Sequence, residues 1–473
     1  MADESGVSIP GSLTADHPLV RALIACAPEG WERIDAVFAI TVTGHIGTVV
    51  SSDGRHAVSV PPPDAVIDLV REHRVQTAGT GPWWRISLAL TAMGELETGY
   101  DYGDEPFPEG QLLPAPEYRA DLEAFPRERV PVWLGAYIGH GDRQRRTPRQ
   151  AAERARADRA GQVWPTLAEN EFPPFPVMWA RWATVAAAFV AAGSDWGPRI
   201  EPRAATFEGA GRGGSSLHVL THGRAVLSGG VWEAPELDAV YNRSGPMPEH
   251  YRGAPDWVAD PVLNPRAAAG LLSFCYWWEA GRWYRGQSPS ARDCATAIPG
   301  VWTAEIVHGL VGGLIEAPDT AQNAITALLT AAEAGKVDRA ALVAVFGDTG
   351  QFDIDSALYQ FTLAGLTATA PEPMPSGQAI DRVRDYITGR ALDTTGYPLA
   401  ELVAERFSVG WLVYVPVPAG EIAIGRAVFY LADDGMLEHS TSSIAPATFI
   451  AEFERAFARR HGLEEVSDGQ VGK

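Results

Sequence analysis

The chain predicts a multi-domain α+β protein: small antiparallel sheets flanked by helices, with a largely helical section in the middle region. Three observations carry this. Its 473 residues exceed what one hydrophobic core ordinarily serves. Hydrophobic residues make up 46% of it and tryptophan occurs 15 times, ample material for packed interiors rather than disorder. Helix–strand–helix patterns recur at the two ends of the chain, set apart by an Arg-rich stretch and a Pro-rich linker. The expected division is 1–140, an Arg-rich helical connector over 141–165, a Trp-rich middle domain over 166–368, a linker over 369–376 and a C-terminal domain over 377–473.

In the first region, Asp16 is placed to cap a helix that has Pro18 inside its first turn and Leu19, Leu23 and Ile24 as its buried stripe. Strands are expected from Ala36 to Val42, Ile46 to Ser51 and His56 to Val60, with a Ser52-Asp53-Gly54 turn between the last two. Pro61 to Asp64 opens a second helix with Val66, Leu69 and Val70 on one face. Trp84, Ile86, Leu88 and Leu90 then alternate with Arg85, Ser87, Ala89 and Thr91, the period of a strand with one buried face. Gly94 breaks the alternation. A strand returning from Glu95 to Tyr102 puts Leu96, Thr98, Tyr100 and Tyr102 on the buried side. Glu95, Glu97 and Asp101 face solvent or a partner, and Asp104 and Glu105 follow in the next turn. The segment from Phe125 to Trp133 closes the region.

A Trp-led strand, a glycine turn and a strand ending in Tyr100-Asp101-Tyr102 before further acids resembles the YezG-type antitoxin or immunity family. Upstream, Ala27-Pro28-Glu29-Gly30-Trp31-Glu32-Arg33 is similar to that family's Pro-Glu-x-Trp-Glu segment, followed as there by a strand. The resemblance covers residues 15–136 and rests on structural positions: Trp31, Trp84, Tyr100, Tyr102 and Trp133. It implies a cytoplasmic immunity protein that binds and neutralises a secreted bacterial toxin.

The charge suits that expectation. The formal net charge is −21, which repels nucleic acid and anionic membranes and attracts cationic partners. Residues 1–110 hold 16 Asp and Glu against 6 Arg, so nearly half the excess lies around the hairpin. Nucleases, basic where they grip phosphate, are the toxin class such a surface fits. The expected partner is therefore a basic protein toxin, with Glu95, Glu97, Asp101, Asp104 and Glu105 as the binding candidates. Neither nucleic acid nor membrane is expected as a partner. Cys26, Cys275 and Cys294 are few and far apart, which suits a reducing compartment. The N-terminal MADESGVSIPGSL lacks the basic and apolar stretches of a signal peptide, and no apolar run reaches membrane-spanning length, so a cytoplasmic location is expected.

Arg143, Arg145, Arg146, Arg149, Arg154, Arg156 and Arg159 mark the connector as a polar helix. It reads as a counter-charge for the acidic first domain or as a nucleic-acid patch, though no aromatics interleave its arginines. Beyond it lie a helix through Ala192 and strands at Ala204 to Phe207 and Leu217 to Val226. The strands flank Gly209 to Ser216, a flexible hairpin loop rather than a phosphate loop, since no Lys-Ser/Thr pair follows. After Pro265 the chain reads as helical. Leu271, Phe274, Tyr276, Trp277, Trp278, Trp283 and Tyr284 form its densest aromatic cluster, a core, a domain seam or a ligand pocket. Helices are expected over Trp302 to Ile315, Thr320 to Ala334, Asp338 to Phe346 and Ile354 to Leu366. The C-terminal domain reads as a helix capped by Ser376, three strands (Trp411 to Val417, Ile424 to Leu431, Met436 to Ser440) and a helix from Pro446.

Motifs of chemistry are sparse. HExxH, Gly-x-Ser-x-Gly and Cys/His clusters are missing from the sequence, and Gly347 to Asp355 fails the EF-hand spacing. His218 and His222 are four apart, but SSLHVLTHGRAVL reads as strand and turn rather than as a metal-binding helix. Asp101, Asp104 and Glu105 are close enough to split their pKa values as an acid and base, or form a solvated rim awaiting a cation. The expectation is a binding protein without catalysis, metal or cofactor. An enzyme sited in the Trp-rich middle domain and an adaptor or chaperone for a secreted effector are the alternatives.

Overall fold

The computed structural model describes residues 13–79, 81–316, 321–367, 371, 373–390, 392–417, 426–441 and 445–461. Residues 369, 370 and 372 of the expected linker, Thr320, and the first two residues of the strand expected from Ile424 lie outside these. So does most of the N-terminal stretch read for a leader. Among the described residues there are thirteen α-helices and three antiparallel sheets of five, seven and four strands, an α+β architecture. The chain divides into two compact units. One is 1–144 with 233–247 and 267–271; the other is 145–232, 248–266 and 272–473.

The first unit is built on a sheet of order β3-β2-β1-β4-β5. Its strands are β1 (Arg33–Ile40), β2 (His45–Ser52), β3 (Ala57–Val60), β4 (Arg85–Thr91) and β5 (Leu96–Asp101). One face carries Ile34, Ala36, Phe38, Val49, Ile86, Leu88 and Leu90, packed with α1 (Pro18–Cys26) and α2 (Asp64–Gln76). The N-cap of α1 is His17, whose Nδ1 accepts from the Leu19 amide, one residue beyond the expected Asp16. Helices α3 (Ala115–Ala124) and α4 (Val132–Gly139) follow the sheet.

Helix α7 (Pro235–Arg243) joins this unit although nearly a hundred residues separate it from α4. Polar contacts fix it there. The Val130 amide donates to Asn242 Oδ1 at 2.9 Å, the Val132 amide to Glu233 Oε1 at 2.9 Å, and Arg129 Nε to Asp238 at 2.7 Å. Arg243 and Arg129 hold the Asp238 carboxyl down at about 2. A Cβ on Gly135 would stand 2.9 Å from the Tyr241 Cβ, so glycine is what lets α4 approach α7 this closely.

The second unit opens with α5 (Pro148–Ala160), the Arg-rich helix, which starts on a Thr147–Gln150 capping box. It is not solvated all round: Ala151, Ala155 and Asp158 are buried. Arg149 pairs with Glu153, and Arg154 with Asp158 and Glu249. These two arginines thus find their counter-charges within the second unit rather than in the acidic N-terminal region.

Its large sheet has the order β6-β12-β11-β10-β9-β8-β7. The strands are β6 (Thr166–Leu167), β7 (Arg199–Glu201), β8 (Ala204–Glu208), β9 (Gly214–Leu220), β10 (Arg224–Gly230), β11 (Phe274–Glu279) and β12 (Arg282–Arg285). Against one face lies α6 (Phe175–Ala191), with α8 (Ala304–Leu314), α9 (Gln322–Glu333), α10 (Arg339–Phe346) and α11 (Ile354–Ala364) completing the same core. Val226, Cys275 and Trp277 on the other face are covered by Ala254, Val258 and Leu263.

Two expectations change here. The aromatic cluster is a β-hairpin, not a helix. The single strand expected from Leu217 to Val226 is two strands, broken where His222 takes φ 62° in a tight turn. The glycine-rich segment is the β8–β9 hairpin loop.

The remaining sheet, β13-β14-β15-β16, comprises Val403–Phe407, Gly410–Tyr414, Ala427–Ala432 and Leu437–Thr441 in that order. Four strands stand where three were expected. Helix α12 (Ser376–Gly389) packs Ala379, Val383 and Ile387 with Val413, Phe429 and Leu431, while α13 (Pro446–His461) packs Phe453 and Phe457 with Leu412, Val428 and Tyr430. Ser376 is the first residue of α12 rather than its cap, and Pro375 precedes it without a side-chain bond.

Candidate functional site

The β4–β5 hairpin is held from behind by a buried polar hub. Asp121 on α3 is fully buried and receives three hydrogen bonds: from Arg74 Nη2 at 2.7 Å, from Trp84 Nε1 at 2.9 Å and from the Val42 amide at 3.0 Å. Arg74 also donates to the Trp83 carbonyl at 2.7 Å, so all partners of this ion pair are hydrogen-bonded. The Arg127 guanidinium sits 3.5 Å over the Trp84 ring, and burial lowers its pKa to about 10. Trp83 Nε1 donates to Thr77, and the Tyr100 hydroxyl meets His73 Nε2 at 2.9 Å. Burial, with His17 nearby, drives the His73 pKa down to about 4. One carboxylate thus ties α2, α3, the end of β1 and the hairpin into a rigid mount.

The opposite side of the hairpin belongs to an open sheet face. Register aligns Ser59, Val50, Asp35, Ala89 and Glu97 across the five strands, and Thr48, Val37, Ser87 and Gly99 in the next row. Thr48, Ser59, Ser87, Glu97 and Gly99 are exposed; Asp35, Val37, Val50 and Ala89 are half-buried. Charges on this face are partly paired already. Arg33 binds Asp35 at 2.7 Å, and Arg85 binds Asp101 and Gln111. Glu97 has neither a hydrogen bond nor an ion pair among the described residues, although its charge favours the protonated Arg33 nearby. Asp104 and Glu105 are exposed in the following turn. Glu95, beside the Gly94 turn at φ 88°, is exposed and takes only a 3.4 Å contact from the Thr91 hydroxyl.

The candidates therefore separate. Glu95, Glu97, Asp104 and Glu105 are presented to solvent. Asp101 is not: its carboxylate is bound by Arg85 and accepts from the Gly103 amide at 2.8 Å. The expected solvent-facing row loses its middle member because strand register puts a cation directly opposite it. Among the aromatic positions, Trp84 and Trp133 are buried, and Trp133 Nε1 donates to the Gly103 carbonyl at 2.7 Å. Trp84, however, packs with Phe107 and Tyr118 rather than in the helix-covered core, whose tryptophan is Trp83. Trp31 and Tyr100 lie partly buried against that core. Tyr102 is 37% exposed and not on the core face, since β5 has ended at Asp101.

The Asp121 hub escaped the sequence reading. Its one local signal is that Asp121 follows the buried Tyr118 at helical spacing, which puts a carboxylate on the inner face of α3. His218 lies on β9 and His222 in the following turn. Among the described residues no group of three or more His, Cys, Asp or Glu is placed to hold a metal ion, and no helix is long and apolar enough to cross a membrane. No protein-family model matches the chain, and no curated protein matches it either.

Proposed function

We propose that this chain is a cytoplasmic immunity protein that binds and neutralises a basic protein toxin through the open face and acidic rim of its first unit. The observation that carries the reading is the exposure of Glu95, Glu97, Asp104 and Glu105 on a hairpin anchored from behind by Asp121. A rigid mount lowers the ordering cost of binding, and exposed carboxylates steer a cationic partner. A nuclease is the favoured toxin class, because its phosphate-binding surface is complementary to such a rim. The resemblance of residues 15–136 to the YezG-type family supports the same reading.

The test is affinity capture from lysate of the source cells, with the wild-type chain and an E95K/E97K/D104K variant run in parallel. The wild type should retain a basic protein that is toxic when expressed alone and harmless when co-expressed with this chain. The variant should retain much less of it. Capture of a non-toxic protein, or equal capture by both chains, would sink the proposal.

A further inference from the structure

A cleft in the second unit gathers arginines in a chain that is acidic as a whole. It encloses about 550 Å³ between the β9–β10 turn, α6, α11 and the outer side of α13. Trp179, Leu220, Leu363 and Met436 contribute its apolar wall. Arg203 and Arg455 stand at its mouth with the His222 ring and one carboxylate, Glu452, and all four are exposed. The chain as a whole has 59 acidic residues against 38 basic ones, whereas arginines outnumber carboxylates among the residues that line this cleft.

The cations are differently committed. Arg460, deeper in the cleft, is bound through Nε to Asp434 at 2.8 Å. Arg455 makes one hydrogen bond, to the Ala451 carbonyl of its own helix at 3.1 Å, and no ion pair among the described residues. Arg203 lies 3.3 Å from Glu438 with 43% of its side chain exposed. Burial raises the Glu438 pKa against the pull of Arg203 and Arg460. The Arg455 guanidinium and the exposed part of Arg203 are therefore within reach of an incoming anion beside an apolar wall, in a cavity of the size that small ligands occupy.

We propose that this cleft binds a small amphipathic anion, its carboxylate or phosphate held by Arg203 and Arg455 and its apolar body against Trp179 and Met436. Every residue of the site belongs to the second unit.

The test uses the full chain and two fluorescent probes with the same ring system: anilinonaphthalene sulfonate, which is anionic, and N-phenyl-1-naphthylamine, which is neutral. The wild type should bind the sulfonate saturably at one site. An R203A/R455A variant should bind it at least about tenfold more weakly, the scale of lost charge-assisted hydrogen bonds, while affinity for the neutral probe moves less than about twofold. Octanoate and octyl phosphate should displace the sulfonate, and whichever does so at lower concentration identifies the head group. No saturable sulfonate binding by the wild type, unchanged affinity in the variant, or displacement by neither competitor would overturn the proposal. If the variant fails to fold, salt titration of the wild type decides: sodium chloride must weaken the sulfonate and leave the neutral probe unaffected.

Discussion

The five-stranded sheet of the first unit and the seven-stranded sheet of the second are both antiparallel, but they use their faces in opposite ways. Along β4 burial alternates, with Ile86, Leu88 and Leu90 inside and Ser87 exposed between them. Along β10 every residue from Ala225 to Gly230 is buried, because α6 covers one side and the 254–263 segment the other. The four-stranded sheet is also covered twice, by α12 and α13. An antiparallel sheet with one solvated face is ordinary in itself. What sets the first sheet apart is that its open face carries an acidic rim on a hairpin fixed from behind. Coverage on both sides marks a sheet as scaffold, and the uncovered face is where this chain can present side chains to a partner.

The same substitution on the two sheets should break or sustain that contrast most visibly. S228K places an ammonium on a central strand where Ser228 is 2% exposed and donates to the Leu263 carbonyl. It should cost about 4 kcal/mol or more, enough to unfold the second unit. S87K on the open face should stay within about 0.5 kcal/mol of wild type. Urea unfolding followed by tryptophan fluorescence separates the two outcomes, and equal losses would mean that the first sheet is covered as well.

Next in size is the mount. D121A removes the partner of a buried arginine and should destabilise the first unit by about 3–5 kcal/mol. Hydrogen exchange should show loss of protection in the strands and helices of that unit and none in β9 to β11.

Why one half of this contrast was readable from sequence and the other was not is a matter of range. β4 alternates within seven residues, so its buried face is legible locally. FCYWWE on β11 has no alternation to read, because both faces are covered, and an unbroken apolar run does not distinguish strand from helix. β13 was missed because VAERF is mostly exposed or half-exposed and lacks an apolar stripe. The break between Leu217 and Val226 did have a local signal, since Gly223 follows His222 in the turn and is also left-handed at φ 65°. The site divides in the same way. Exposure of Glu95 and Glu97 follows from local period. The Arg85–Asp101 pairing depends on strand register, and the Asp121 hub on contacts up to 79 residues apart. No local pattern encodes the pairing, and for the hub only the helical spacing of Tyr118 and Asp121 is local.

Acid should produce a smaller effect in both units. His73 in the first and His250 in the second are each driven by burial from near 6.5 to about 4. The unfolded chain takes up these protons near pH 6.5 and the folded chain only near 4, so the unfolded state binds more protons in between. Stability should be insensitive to these groups above pH 6.5 and fall as pH drops from 6.5 towards 4. Urea unfolding at pH 7.5 and 4.5 measures the loss. H73F should reduce the acid sensitivity of the first unit and leave that of the second, whereas an unchanged pH dependence of the first unit would remove His73 as its cause.

The proposed function is tested most directly by the association rate of the captured basic protein with wild type and with E95K/E97K/D104K. Asp101 is left intact because replacing it would break the Arg85 pair and confuse folding with binding. The three substituted residues are exposed, so the fold should survive. Association should slow at least about tenfold at low salt, and its salt dependence should flatten. A well-folded triple variant that associates at the wild-type rate, with the wild-type salt dependence, would contradict the proposed function.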